Sequence, residues 1–118
     1  MYALFLILND VYKLDEVQEL FYELGIGATT VDSQGMGKIL LNHHVDVPMF
    51  GSVRRLIDSR KPYNKTVFSV IHTEEKKDET VKKLKALLDD FDEPGVGFMF
   101  VLPVIECCSS KHICKSEE

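Results

Sequence analysis

Residues 2–8 read YALFLIL, a stretch that is apolar at every position and short for a helix. Such a run predicts a strand that is buried on both faces or packed at a subunit contact. From residue 14 onward the pattern changes, because apolar side chains follow helical spacing until Gly25 offers a stop. The chain is therefore predicted to open with a strand and a one-sided helix.

Three more strands and one more helix are predicted from the rest of the sequence. Ala28–Ser33 and Ile39–Leu41 together indicate a long or kinked second strand, and Thr66–Ile71 indicates a third. A helix follows with a buried stripe from Val81 to Phe91, and residues 98–102 form a fourth strand. The order βαββαβ predicts an α+β, ferredoxin-like sandwich: an antiparallel sheet with two helices on one face.

A long excursion, residues 42–65, separates the second and third predicted strands. It contains two prolines, a glycine and two adjacent histidines, so it does not form one regular element, although Pro48 is suited to begin a short amphipathic helix. Its basic residues are candidates for contacting a partner protein or an anion, because arginine matches the geometry of carboxylate and phosphate groups. They are Arg54, Arg55, Arg60 and Lys61.

Composition narrows the class of protein. The 118 residues form a single domain, with 45% hydrophobic and 28% charged residues, and the net charge of −5 argues against nucleic acid as a partner. No apolar run approaches the roughly 20 residues of a membrane-spanning helix, so membrane insertion is not expected.

All three cysteines lie in a tail, residues 107–118, which favours a cytoplasmic location. In that tail Cys114 is placed to pair with Cys107 or Cys108.

The predicted sheet has one face without a cover. Two helices cover only one face, yet residues 2–8 and 98–102 are apolar on both. An exposed apolar face of this size predicts packing against other subunits.

Four strings in this order resemble the nitrogen regulatory protein P-II family. They are KLDEV at 13–17, LGI at 24–26, GMGK at 35–38 and GVGFMFVLPV at 95–104. The resemblance implies a cytoplasmic homotrimer that transduces a signal. A small effector, with an adenine nucleotide as a candidate, binds in the cleft between subunits, and the excursion 42–65 replaces the T-loop that contacts a target protein.

The resemblance also implies which residues bind the effector. They lie in two glycine turns, Gly35, Met36, Gly37 and Lys38 in the first and Gly95, Val96, Gly97 and Phe98 in the second. Glycine lets backbone N–H groups approach phosphate oxygens closely. Phe98 departs from the family, which has a phosphate-binding lysine there.

Two other readings stay open. A metal-responsive trimer, similar to the divalent-cation tolerance proteins, would use His43, His44 and Asp46, or the cysteine tail, as ligands. A structural trimer would bind no ligand. The sequence contains no nucleophile motif, metalloprotease motif or Walker loop, so we do not expect an enzyme.

Overall fold

The computed structural model describes residues 1–36, 63–92 and 95–109. Four strands and two α-helices follow one another along these residues. They are β1 (Tyr2–Leu8), α1 (Leu14–Glu23), β2 (Thr29–Gln34), β3 (Tyr63–Ile71), α2 (Glu74–Leu87) and β4 (Gly97–Pro103). Short 3-10 turns precede α1 at Val11–Lys13 and follow α2 at Asp89–Phe91.

The four strands form one antiparallel sheet in the order β2-β3-β1-β4. β1 lies inside the sheet, with Tyr2 opposite Ile71 of β3 on one side and opposite Pro103 of β4 on the other. The predicted α+β class, an antiparallel sheet combined with two helices, is confirmed. This arrangement is compatible with a ferredoxin-like fold.

The core lies between the sheet and the two helices. Leu4, Leu6 and Leu8 of β1 have no exposed surface and belong to one buried cluster with Phe21 of α1 and Leu84 of α2. Side chains alternate along a strand, so these three leucines share one side of the sheet, which we call the helix face. Each buried leucine contributes about 1.5–3 kcal/mol by leaving water.

Helix α2 begins at a cap and ends earlier than its apolar stripe suggests. The Oγ1 of Thr73 accepts a hydrogen bond from the Lys76 N–H at 3.2 Å, as predicted for an N-cap. The predicted stripe continued to Phe91, but Asp89, Asp90 and Phe91 have positive φ angles of 52°, 55° and 59°. Left-handed backbone cannot extend a right-handed helix, so the helix ends at Leu87 and Phe91 reaches the core from a turn.

Strand β3 starts three residues before its predicted beginning, at Tyr63 rather than Thr66. The prediction that the excursion 42–65 includes residues 63–65 is wrong, because these residues belong to β3. Cross-strand pairs explain the extension, because Asn64 lies opposite Ser33 and Lys65 opposite Asp32. The predicted continuation of the second strand at Ile39–Leu41 and the predicted helix after Pro48 lie outside the described residues.

Gly97, at the start of β4, occupies a position that accepts only glycine. Its φ is +140°, and a Cβ there would collide with the carbonyl oxygen of Ile7. Gly25, at the end of α1, also has a positive φ of +70° but has open space around it. An alanine at Gly25 would meet only the strain of a left-handed backbone. An alanine at Gly97 would meet that strain and a steric collision as well.

We expect Gly97→Ala to destabilise the fold by more than about 3 kcal/mol, because β4 must move away from β1. Gly25→Ala, the control, should cost about 1–2 kcal/mol for its left-handed backbone alone. Urea unfolding followed by circular dichroism measures both. Equal losses in the two variants would contradict the close approach of β4 to β1.

Candidate functional site

The two glycine turns singled out by the sequence lie at the same end of the sheet. Gly35 and Met36 directly follow β2, and residues 95–97 lead into β4, whose Gly97 is opposite Leu8. β2 and β4 are the two edge strands, with β3 and β1 between them. Adjacent strands lie about 4.8 Å apart, so the turns are about 14 Å apart in one chain. A compact ligand at one turn therefore does not reach the other turn of the same chain.

The turn before β4 is anchored to the end of β1. The carbonyl oxygen of Val96 accepts hydrogen bonds from the Asn9 N–H at 2.9 Å and the Asp10 N–H at 3.2 Å. The side chain of Val96 is buried in the core, while the neighbouring Phe98 is 56% exposed. Val96 thus holds the turn in place, and Phe98 presents a free aromatic surface beside it.

The end of β2 is fixed by a small polar cluster of Ser33, Asn64 and Thr66. The Ser33 hydroxyl donates to Oδ1 of Asn64, and its oxygen lies 2.8 Å from Oγ1 of Thr66. Because a hydroxyl carries one proton, Thr66 is the donor in the second bond. Asn64 is only 7% exposed, so the Ser33 bond satisfies the oxygen of a buried amide at the base of the first turn.

Ser33, Asn64 and Thr66 do not form a motif in the sequence. They belong to two strands, and only the register of β2 with β3 brings them together. Gly35 follows this cluster closely. A Cβ at Gly35 would lie 3.7 Å from Nδ2 of Asn64, which is an ordinary van der Waals distance. Gly37 and Lys38, predicted in the same turn, lie outside the described residues.

Charges at this end of the sheet are paired or negative among the described residues. Nζ of Lys65 forms an ion pair with Oδ1 of Asp32, and Nζ of Lys13 lies 4.0 Å from Oε2 of Glu16. The 3-10 turn that follows α2 adds two aspartates, since α2 runs back toward the start of β4. The described part of the site thus provides no cluster of cations for a polyphosphate.

The side of the sheet opposite the helix face is apolar, and we call it the open face. Phe5 lies directly between Phe68 and Phe100 in the register, with ring centroids 5.9 Å and 5.1 Å apart. Phe98 extends the row at 6.1 Å from Phe100. The polar cluster of Ser33, Asn64 and Thr66 occupies one end of this face. The register gives the other described residues of the face, none of them charged: Thr29, Val31, Ala3, Ile7, Val70 and Leu102. The predicted exposed apolar face is present.

The candidate metal ligands and partner contacts fall elsewhere in the chain. His43, His44 and Asp46, together with Arg54, Arg55, Arg60 and Lys61, lie outside the described residues. Within residues 1–36, 63–92 and 95–109, no group of three His, Cys, Asp or Glu side chains is arranged to hold a metal ion. No helix of this described part is long and apolar enough to cross a bilayer.

The two adjacent cysteines of the tail differ in chemistry. Cys107 is disulfide-bonded, whereas Cys108 is a free, exposed thiol. Cys114, the predicted partner, lies outside the described residues, so the pairing of Cys107 with Cys114 stays a prediction.

Comparisons with models of protein families and with curated proteins find no match to this sequence. The resemblance to the P-II family rests on the four strings quoted above and stays a prediction.

We expect iodoacetamide to label Cys108 but not Cys107 when the protein is handled without reductant. After reduction both residues should be labelled. Peptide mapping by tandem mass spectrometry distinguishes the adjacent sites. Labelling of Cys107 before reduction would contradict the disulfide.

Proposed function

We propose that the chain is the subunit of a homotrimeric, P-II-like regulatory protein, which binds a small effector between subunits and contacts a target protein through residues 42–62. One observation carries this proposal. The two glycine turns lie at the same end of the sheet but on opposite edge strands. Two neighbouring subunits that meet edge to edge bring the first turn of one chain to the second turn of the other.

The open face supports association of the subunits. Val31, Phe98, Phe100 and Leu102 are each at least 39% exposed in the single chain. Burying apolar surface contributes about 25 cal/mol for each square ångström removed from water, and this face carries no charge that would oppose burial. The number three comes from the P-II resemblance, and the open face supplies the reason to associate.

The chemistry at the turns favours an effector with a flat apolar part and little charge. Phe98 offers a ring on which a base can stack, beside a turn whose Gly97 leaves the backbone accessible. Without a cationic cluster among the described residues, a triphosphate has few counter-charges. An adenine nucleotide with few phosphates is the best candidate.

The signal would pass through the end of β2. Gly35 and Met36 connect the polar cluster of Ser33, Asn64 and Thr66 to the segment that begins at residue 37. An effector that contacts this turn in only one of two arrangements shifts the population toward that arrangement. The target protein then distinguishes the arrangements by their different affinity for residues 42–62.

The proposed regulator is a cytoplasmic binding protein without enzymatic activity. It binds neither nucleic acid nor membrane. The net charge of −5 supports the last part, because nucleic acid and anionic lipid repel a negative surface. A disulfide at Cys107 is compatible with the cytoplasm where such bonds are transient and redox-sensing.

We expect Phe100→Lys to convert the trimer into a monomer. Phe100 is 39% exposed in the single chain, so a lysine there stays hydrated in the monomer, whereas an interface would strip its ammonium of water. Tyr22→Lys is the matched control, because Tyr22 is 85% exposed on α1, away from the open face. Sedimentation velocity at micromolar concentration measures the species formed by the 13.5 kDa chains.

The unmodified protein and Tyr22→Lys should both sediment as trimers. A monomeric unmodified protein would overturn the oligomer, and with it the shared site. A trimer that persists in Phe100→Lys would move the interface away from the open face.

We expect Gly35→Ala to weaken effector binding without unfolding the chain. Its added methyl group fits beside Asn64 but occupies the space through which a ligand approaches the backbone. Gly27→Ala is the control, since no atom lies within 4 Å of a Cβ there. Thermal shift measurements use AMP, ADP, ATP, S-adenosylmethionine, Zn²⁺ and Cu²⁺ as probes.

A ligand at a hundred times its Kd stabilises the folded state by about 2.7 kcal/mol, which raises Tm by several degrees. We expect AMP or ADP to do so in the unmodified protein and in Gly27→Ala, but more weakly in Gly35→Ala. A shift with metal alone would favour the metal-responsive trimer. Absence of any shift would leave the structural trimer.

A further inference from the structure

A groove of about 550 Å³ lies between the two helices. It is separate from the glycine turns and from the open face, since both of its walls are helices and the sheet lies beneath them. The lining residues come from one side of α1 and one side of α2: Glu16, Glu19, Leu20, Glu23, Lys83, Ala86 and Leu87.

The groove combines an apolar floor with an acidic rim. Leu20 and Leu87 are partly buried and pack against the core beneath, and Ala86 is exposed between the helices. The three glutamates are spaced i, i+3 and i+7 along α1, so they form one row above that floor. An apolar side chain and a positive charge on the same ligand would both be accommodated.

Two of the three rim carboxylates are available to a ligand. Glu19 and Glu23 have no ion-pair partner among the described residues, and Glu16 has only the 4.0 Å contact with Lys13. Lys83, the only cation among the described lining residues, lies 3.7 Å from Glu79 on its own helix. The α1 side of the rim is therefore negatively charged. No described lysine or arginine forms an ion pair with Glu19 or Glu23.

We propose that this groove docks a cationic amphipathic segment of a partner protein. One apolar side chain of that segment lies between Leu20 and Leu87, and its Lys or Arg side chains pair with Glu19 and Glu23. Charge complementarity selects this occupant. Nucleic acid and anionic lipid have the wrong sign, and the rim glutamates do not converge on a point where a metal ion could sit, within the described part of the chain.

The test uses a short fluorescent peptide with leucines on one helical face and lysines on the other, together with the full-length protein. Anisotropy gives the affinity, and amide chemical shifts in a ¹H–¹⁵N spectrum give the location. We expect binding that weakens as salt rises, with the largest shifts at Leu20, Ala86 and Leu87. Largest shifts on the open face or at the glycine turns would overturn the proposal.

Charge variants separate the groove from the general negative charge of the protein. Glu19→Gln with Glu23→Gln should weaken peptide binding about tenfold, because two rim charges are lost. The control, Glu75→Gln with Glu106→Gln, removes the same charge from exposed positions outside the groove and should change affinity less than about twofold. Equal effects of the two pairs would overturn the proposal.

A third comparison tests the apolar floor. Ala86→Gln fills the groove without changing its charge. Because Ala86 is an exposed position of a helix, we expect the fold to stay intact, and circular dichroism verifies this. The substitution should weaken the peptide severalfold. Spermidine, which has charge but no apolar side chain, should bind about tenfold more weakly than the peptide. Unchanged peptide binding in Ala86→Gln, or equal binding of spermidine, would reduce the groove to a simple acidic surface and overturn the proposal.

Discussion

Burial of both faces of the central strand is the constraint on which the rest of the structure depends. Leu4, Leu6 and Leu8 are covered by the helices, and no comparable layer of described residues covers Phe5 on the other side. The backbone of β1 pairs with β3 on one edge and with β4 on the other, so its side chains can be buried only above and below the sheet. The fold thus buries one face of β1 under the helices and leaves the other, with its row of phenylalanines, without such a layer of described residues.

The same strand order determines where ligands can act. Because β2 and β4 are the edges, features at their ends are distant within a chain and would become neighbours only in the proposed edge-to-edge assembly. The helical layer faces the opposite way and carries its own acidic groove. The proposed effector site and the proposed subunit interface share Phe98, whereas the groove between the helices lies on the other side of the sheet.

Strand and helix periodicity predicted most of the fold, since Tyr2–Leu8 and Leu14–Glu23 are found where their patterns placed them. The end of α2 could not be predicted, because Phe91 continues the apolar spacing while the backbone has already turned left-handed at Asp89. At the candidate site, the glycines were visible as turn residues. Ser33, Asn64 and Thr66 were not, since only strand register joins them. The groove depends on helix packing, which periodicity does not specify.

The pairing of β1 with β4 joins the two ends of the described chain. Tyr2 lies opposite Pro103, and beyond them the Val104 N–H donates to the carbonyl oxygen of Met1 at 3.0 Å. During synthesis β1 leaves the ribosome before β2, β3 and both helices, and its second partner, β4, follows only after all of them. Contacts so remote in sequence slow folding. During that interval one edge of YALFLIL is unpaired, and an unpaired apolar edge is a template for pairing with other chains.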